Sequence, residues 1–212
     1  MTEVKDIKKV NLGCGSTIAP GWINIDVSQN IMLSKLPLLK WILYKIGLLS
    51  EAAYKEKWPA GIIRHDVRRG LPFKDCSVLH IYTSHLLEHL TRHEANKLLR
   101  ECYRILKPQG WIRIVVPDFE LLVDRYKRNE LSIEGFLHCL GMRESENDAF
   151  LSFLYSKDRH KWMYDFQSQT HLLKVCGFKI IVRRKFREGK VPDLYILDNR
   201  EKESLYVEAQ KI

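Results

Sequence analysis

The stretch KKVNLGCGSTIAPGWINID, residues 8–26, decides how the rest of the chain is read. Val10 to Leu12 is apolar enough for an interior strand. Gly13 and Gly15 then let the backbone turn sharply and approach a ligand with no Cβ in the way. A second short run, Ile23 to Asp26, ends on a carboxylate, the acceptor that a pair of ribose hydroxyls needs. A nucleotide-like cofactor on the turn is the first hypothesis. Gly-x-Gly also occurs in ordinary turns, and Asp26 could simply end a strand, so the remaining sequence has to decide.

The spacing is short. Gly13 to Gly21 is nine residues, where a parallel crossover takes about a dozen or more. Ser16 to Pro20 leaves room for one helical turn at most. Asp26 arrives eleven residues after Gly15 instead of about twenty, so the usual first helix is expected to be nearly absent.

At 212 residues and 45% hydrophobic content, the chain suits one domain, 1–212, with an inserted helical segment at 30–60 and a cap at 130–165. A net charge of +9 favours anionic partners. The five cysteines (Cys14, Cys76, Cys102, Cys139 and Cys176) are scattered singly, which points to reduced thiols, a cytoplasmic location and no disulfide framework. MTEVKDIKK is polar and reads as no secretory leader. Residues 31–50, IMLSKLPLLKWILYKIGLLS, are the most apolar stretch, yet Lys35, Lys40, Lys45 and Pro37 leave no run of about 18 uncharged residues to span a bilayer. The three lysines fall about 140° apart on a helical wheel and share no face. A helix from about Pro37 that covers the cofactor cleft is preferred here, with peripheral membrane contact as the alternative.

Further along, GIIRHDV (61–67) and SVLHIYTSH (77–85) read as strands. Thr91 and Glu94 have capping-box spacing ahead of a helix carrying Ala95, Leu98, Leu99, Cys102 and Ile105, which Lys107-Pro108-Gln109-Gly110 should stop. WIRIVVPD (111–118) is the next strand, and Phe119, Leu122, Val123 and Tyr126 place one apolar stripe on a following helix. QSQTHLLKVC reads as a helix ending at Gly177. FKIIVRRKF (178–186) and SLYVEAQKI (204–212) are two last strands, paired antiparallel because no helical crossover separates them. Alternating strands and helices imply an α/β, Rossmann-like, doubly wound sheet of seven strands, mostly parallel with an antiparallel last strand and a small helical cap.

NLGCGS, INID, RHDVRRGLPFKDCSVLHIYTSHLLEHL and LLRECYRILKPQGWIRIVVPD, in that order over residues 8–118, resemble the class I S-adenosylmethionine-dependent methyltransferases. LDNREKESLYVEAQK resembles a compact bacterial subgroup, of the methyltransferase type 11 kind, often associated with surface-glycan biosynthesis. The resemblance implies S-adenosylmethionine as cofactor and a role for each matched residue. Amides around Gly13, Cys14 and Gly15 would face its methionine portion, Asp26 the ribose and Asp66 the adenine amino group. Val67 would pack on the adenine ring, with Ser84 also on the cofactor side. Asn11 stands where many members carry an acidic residue and brings no charge to the sulfonium. Asp66 has a plainer alternative, an ion pair with Arg64, Arg68 or Arg69.

Methyl transfer to a hydroxyl needs alignment and a base. His85, at the carboxyl edge of the fourth strand, Glu88 beside it and His160 in DRHKWMYDF are the candidate catalytic residues. His89 and Tyr164 stand nearby in the sequence; the alternatives are that Glu88 and His89 simply face solvent and that DRHKWMYDF is a packed cap corner with Trp162 and Phe166 as core. No His/Asp/Glu group has metal-ligand spacing along the chain. The absence of an Asp/Asn-Pro-Pro-Tyr stretch argues against the amino-methylating nucleic-acid enzymes that resemble this fold, and the leading reading is O-methylation of a small molecule or glycan precursor. A non-catalytic cofactor-binding regulator is the alternative. A nicotinamide oxidoreductase ranks last, because Ile18 stands where its fingerprint needs a third glycine.

Overall fold

The computed structural model describes residues 9–142 and 159–212. They contain the strands β1 (Lys9–Leu12), β2 (Ile23–Asp26), β3 (Ile63–Arg64), β4 (Val78–Ser84), β5 (Leu106–Pro117), β6 (Ile180–Arg184) and β7 (Ser204–Gln210). These form one sheet in the order β3-β2-β1-β4-β5-β7-β6. β7 runs antiparallel to β5 and β6, and the other pairings are parallel. The expected architecture is therefore present. The order reverses between β1 and β4, where Leu12 lies beside Thr83, and a crevice at such a switch point is where open α/β sheets bind ligands.

Strand alternation sorts the two faces. Val10, Leu12, Ile81, Ile112, Ile114 and Val207 point to one side and join the main core. Against them lie α4 (Arg92–Ile105) through Leu98, Leu99, Cys102 and Ile105, and α7 (Phe166–Val175) through Leu173. The α4 start is the expected capping box: Thr91 Oγ1 accepts from the Glu94 amide at 3.2 Å, and the Glu94 carboxylate accepts from the Thr91 amide at 2.8 Å.

The opposite face carries Asn11, Asn24, Tyr82, Arg113 and Glu208, all buried. No helix fills Ser16 to Pro20, so this face is covered largely by Trp22 and the chain around Phe186 to Leu197, including the single turn α8 (Leu194–Leu197). An irregular covering segment brings backbone groups that need partners, and the polar side chains supply them. Arg113, wholly buried, donates to Lys185 O at 2.9 Å and Glu188 O at 3.0 Å and pairs with Asp198. Glu208 accepts from the amides of Lys190 at 2.8 Å and Val191 at 3.1 Å and from Arg184 Nε at 3.0 Å. Buried charge replaces the missing helix.

Several boundaries differ from the sequence reading. α4 ends at Ile105, just before Lys107 to Gly110 as expected, but those residues already belong to β5, which begins at Leu106. Leu106 pairs with Val78 and Trp111 with His80, and the extra residues bulge out with Gln109 at φ 66°. β3 is only two residues long, and Asp66 caps a 3-10 turn, Val67–Arg69, rather than ending a strand. On α5 (Phe119–Lys127) only Leu122 is buried, while Tyr126 is 41% exposed. The insertion forms α1 (Asn30–Leu33), α2 (Pro37–Lys45) and α3 (Glu51–Lys55). Within 130–165, the segment expected as a cap, α6 (Ile133–Cys139) forms, and 143–158 lie outside the described residues.

Candidate active site

Gly13 has φ 65° and Gly15 φ 53°, a region that glycine enters without the Cβ penalty. A Cβ on Gly13 would also stand 3.1 Å from the Leu86 side chain. That contact joins the turn after β1 to the turn after β4. At Gly15 an added Cβ would meet nothing within 4 Å, so the turn opens outward there.

The amides of this turn are committed within the chain, contrary to the sequence expectation. Gly13 and Cys14 donate to Ile25 O at 2.8 and 3.1 Å, and Gly15 to Asp26 Oδ2 at 2.8 Å. Asp26 also takes the Ser28 amide on Oδ1 at 2.7 Å. It is half-buried, and a carboxylate offers about four acceptor positions. Two remain for a ligand. Asn11, 2% exposed, donates to Thr17 O at 3.1 Å and Asn24 Oδ1 at 3.2 Å; it braces the shortened crossover and is not presented to the crevice.

Asp66 is held bidentately by Arg68, at 2.8 Å to Nε and 2.7 Å to Nη2, and this pair keeps its carboxyl below the usual range. The ion-pair alternative is therefore realised. Val67 sits in the main core at 7% exposure and offers little surface for a ring. Ser84 is the half-buried last residue of β4, beside Val115. A different apolar wall lies next to the turn: Cys14, Ile31 and Ile62, with Ile18 and Trp58 packed on them. Burial, with the Asp26 charge adding to it, pushes the Cys14 thiol up to about 12, so it stays protonated. Trp58 Nε1 is buried there without a partner.

The three candidate catalytic residues come together. His85, at φ 50°, donates its amide to Val115 O at 2.9 Å. Its Nε2 lies 3.1 Å from Ser204 Oγ at the start of β7, and its Nδ1 lies 3.1 Å from Glu88 Oε1. Glu88, on the 3-10 turn Leu87–His89, is 0% exposed, yet neither carboxylate oxygen completes a hydrogen bond. Its backbone carbonyl accepts the Lys161 amide at 2.7 Å, which draws the 159–164 segment against this turn. The His160 ring therefore packs edge-on to His89 with centroids 5.1 Å apart. Burial depresses the His160 pKa, and Glu88 opposes that shift. Tyr164, 2% exposed with its hydroxyl unpartnered, is pushed up to about 12 by burial and then by Glu88.

Glu88, His89 and His160 offer ligand atoms all within 4.8 Å of one another, a donor set that could hold a divalent cation. His160 lies 71 positions after His89, so spacing along the chain could not reveal the group. Ser204 and Leu86 were also missed in the sequence. Only the adjacency of β4, β5 and β7 brings Ser204 to His85.

Residues 45–114, 70 of the 212, match the family model of a methyltransferase domain. No curated protein matches the sequence. The chain is similar in fold to an S-adenosylmethionine-dependent methyltransferase from Methanosarcina mazei, at 14% identity over 99% of this chain and 94% of that one, TM-score 0.52. Another from Mesorhizobium loti shares 18% identity over 100% and 94% of the two chains, TM-score 0.50. One from Archaeoglobus fulgidus shares 16% over 96% and 86%, TM-score 0.51. The fold is therefore that of S-adenosylmethionine-dependent methyltransferases, and part of the chain matches a methyltransferase domain, which makes S-adenosylmethionine the group to test against the site. The residues present fit that group through the open Gly15 turn, the spare acceptor positions of Asp26 and the orphaned indole N–H of Trp58.

Proposed function

We propose that the chain methylates a hydroxyl of a small molecule or glycan precursor, with His85 as the base. The supporting observation is the contact of His85 Nδ1 with the fully buried, unsatisfied Glu88 carboxylate. A carboxylate stripped of water is costly unless a positive charge or a proton meets it. With Nδ1–H turned toward Glu88, the lone pair of His85 falls on Nε2, at the Ser204 hydroxyl. A hydroxyl placed there would donate to the same nitrogen.

S-adenosylmethionine, when bound, supplies an electrophilic methyl group on a positively charged sulfur. The chain's own part is alignment and proton removal. Asp26 accepts from the ribose hydroxyls, and Trp58 closes the apolar wall beside the turn. Leu86 fixes the distance between the glycine turn and His85. An acceptor hydroxyl at His85 Nε2 would give its proton to that nitrogen as its oxygen takes the methyl group and the carbon–sulfur bond breaks, and Glu88 would stabilise the imidazolium. Tyr164 and His160 wall the pocket and keep water from Glu88.

The test is incubation of the purified protein with methyl-labelled S-adenosylmethionine and fractionated cell extract, followed by identification of the labelled product. An O-methyl ether that forms with the parent and not with His85→Ala supports the reading. N- or C-methyl products would overturn the acceptor assignment. Tight cofactor binding with no labelled product in any fraction would support a regulatory module instead.

A further inference from the structure

Helix α2 is built inside out. At about 100° per residue, Trp41, Lys45, Leu38, Ile42, Ile46 and Leu39 follow one another across a single arc of roughly 160°, and all six are exposed. Leu38 is 70% exposed and Ile46 61%. The half-buried side carries Lys40, Leu43 and Tyr44: Lys40 donates to Glu56 O at 2.9 Å, and Tyr44 stacks on Tyr54 with centroids 4.4 Å apart. No residue of α2 is buried. Eight of the twenty large apolar side chains exposed among the described residues fall between Met32 and Leu48. A helix that shows most of its large apolar side chains to water and Lys40 to the protein is arranged for an apolar medium outside. A cover over the cofactor crevice would need that arc turned inward.

We propose that this helix seats the protein on an anionic phospholipid surface. Charge complementarity selects the lipid over a protein partner. Residues 31–60 hold five lysines and two glutamates, a surplus of three positive charges (5 − 2), in a chain of net charge +9. Lys35, Lys45 and Lys57 are exposed and carry no ion pair or hydrogen bond among the described residues. Lys45 rises from the middle of the apolar arc, where a long side chain can lie along acyl chains and lift its ammonium to the headgroups. Trp41 at the arc's edge suits the interface between headgroup and hydrocarbon. Among the described residues no helix is long and apolar enough to cross a bilayer, so the contact is peripheral. The roots of the insertion, Ile31, Trp58 and Ile62, pack on Cys14 of the glycine turn. The seated helix therefore sits beside the carboxyl edge of the sheet, and the crevice opens next to the lipid surface.

The experiment is co-sedimentation of the full chain with phosphatidylcholine vesicles, with and without phosphatidylglycerol, at low and high salt. Binding should require phosphatidylglycerol and weaken with salt. At roughly fivefold per basic residue near the surface, the triple variant Lys35→Gln, Lys45→Gln and Lys57→Gln should lose about two orders of magnitude in affinity. The triple variant Leu38→Ser, Trp41→Ser and Ile42→Ser should also detach while keeping parental S-adenosylhomocysteine binding. Binding lost only in the lysine variant would reduce the contact to bulk charge and overturn the proposal. Absence of vesicle binding would overturn it too. So would a dimer in light scattering that the serine variant dissolves, since a second copy would then be the occupant. None of these outcomes depends on the methyl acceptor.

Discussion

Asp26→Ala is expected to loosen both the cofactor and the turn that receives it. The carboxylate clamps Gly15 and Ser28 through bonds of 2.8 and 2.7 Å. Charge-assisted hydrogen bonds of this kind contribute about 1.5 to 3 kcal/mol each where water is excluded. Asp26 is only half-buried, and water can replace it at both amides, so the loss of folding stability should be about 1 to 3 kcal/mol in total. On the proposed binding mode two remaining acceptor positions would serve the ribose, and their removal should weaken S-adenosylhomocysteine binding by about 1.5 to 3 kcal/mol, roughly 10- to 150-fold. Urea unfolding measures the first quantity, and calorimetry well below the unfolding midpoint measures the second. A folded variant that binds as tightly as the parent would refute the ribose assignment. Unchanged stability with weakened binding would refute the clamp.

Arg113→Leu should cost about 3 to 5 kcal/mol, because it leaves Asp198 and Glu208 buried without their guanidinium; a urea-unfolding loss under about 1 kcal/mol would show that the covering chain is held otherwise. His85→Ala and Glu88→Gln should each lower turnover by about 10²- to 10⁴-fold with S-adenosylhomocysteine affinity nearly unchanged, and parental rates in both would remove the proposed base. His160 has its pKa below the ordinary 6.5 through burial. The unfolded chain therefore takes up this proton first as pH falls, and stability should drop as pH passes below that ordinary value. Urea midpoints at about pH 7.5 and about pH 5.5 should converge in His160→Gln; an unchanged gap would assign the acid sensitivity elsewhere.

Local rules were legible in the chain. Thr91 and Glu94 cap α4 because both partners lie within one turn, and the strands of the main core follow from apolar alternation. The short crossover was countable, and its consequence was not: the second face of the sheet had to be covered by irregular chain, which placed Arg113 and Glu208 inside. Their signal was present as opposite charges on WIRIVVPD and SLYVEAQKI, two segments that read as strands. For Asp66 the sequence offered two readings, and of these the ion pair with Arg68 is present. The acceptor side depended on three chain-distant meetings, His85 with Ser204, Glu88 with His160 and Leu86 with Gly13, and no periodicity in one segment encodes those. The helix from Pro37 was found where its sequence begins it, while the direction of its apolar arc came only from what packs behind it.

Calorimetric titration of the purified protein with S-adenosylhomocysteine, and separately with NAD, tests the central claim most directly. The open glycine turn, the acceptor positions left on Asp26 and Ile18 in place of a third glycine predict measurable heat with S-adenosylhomocysteine and none with NAD. Equal or tighter binding of NAD, or no heat with S-adenosylhomocysteine, would contradict the account.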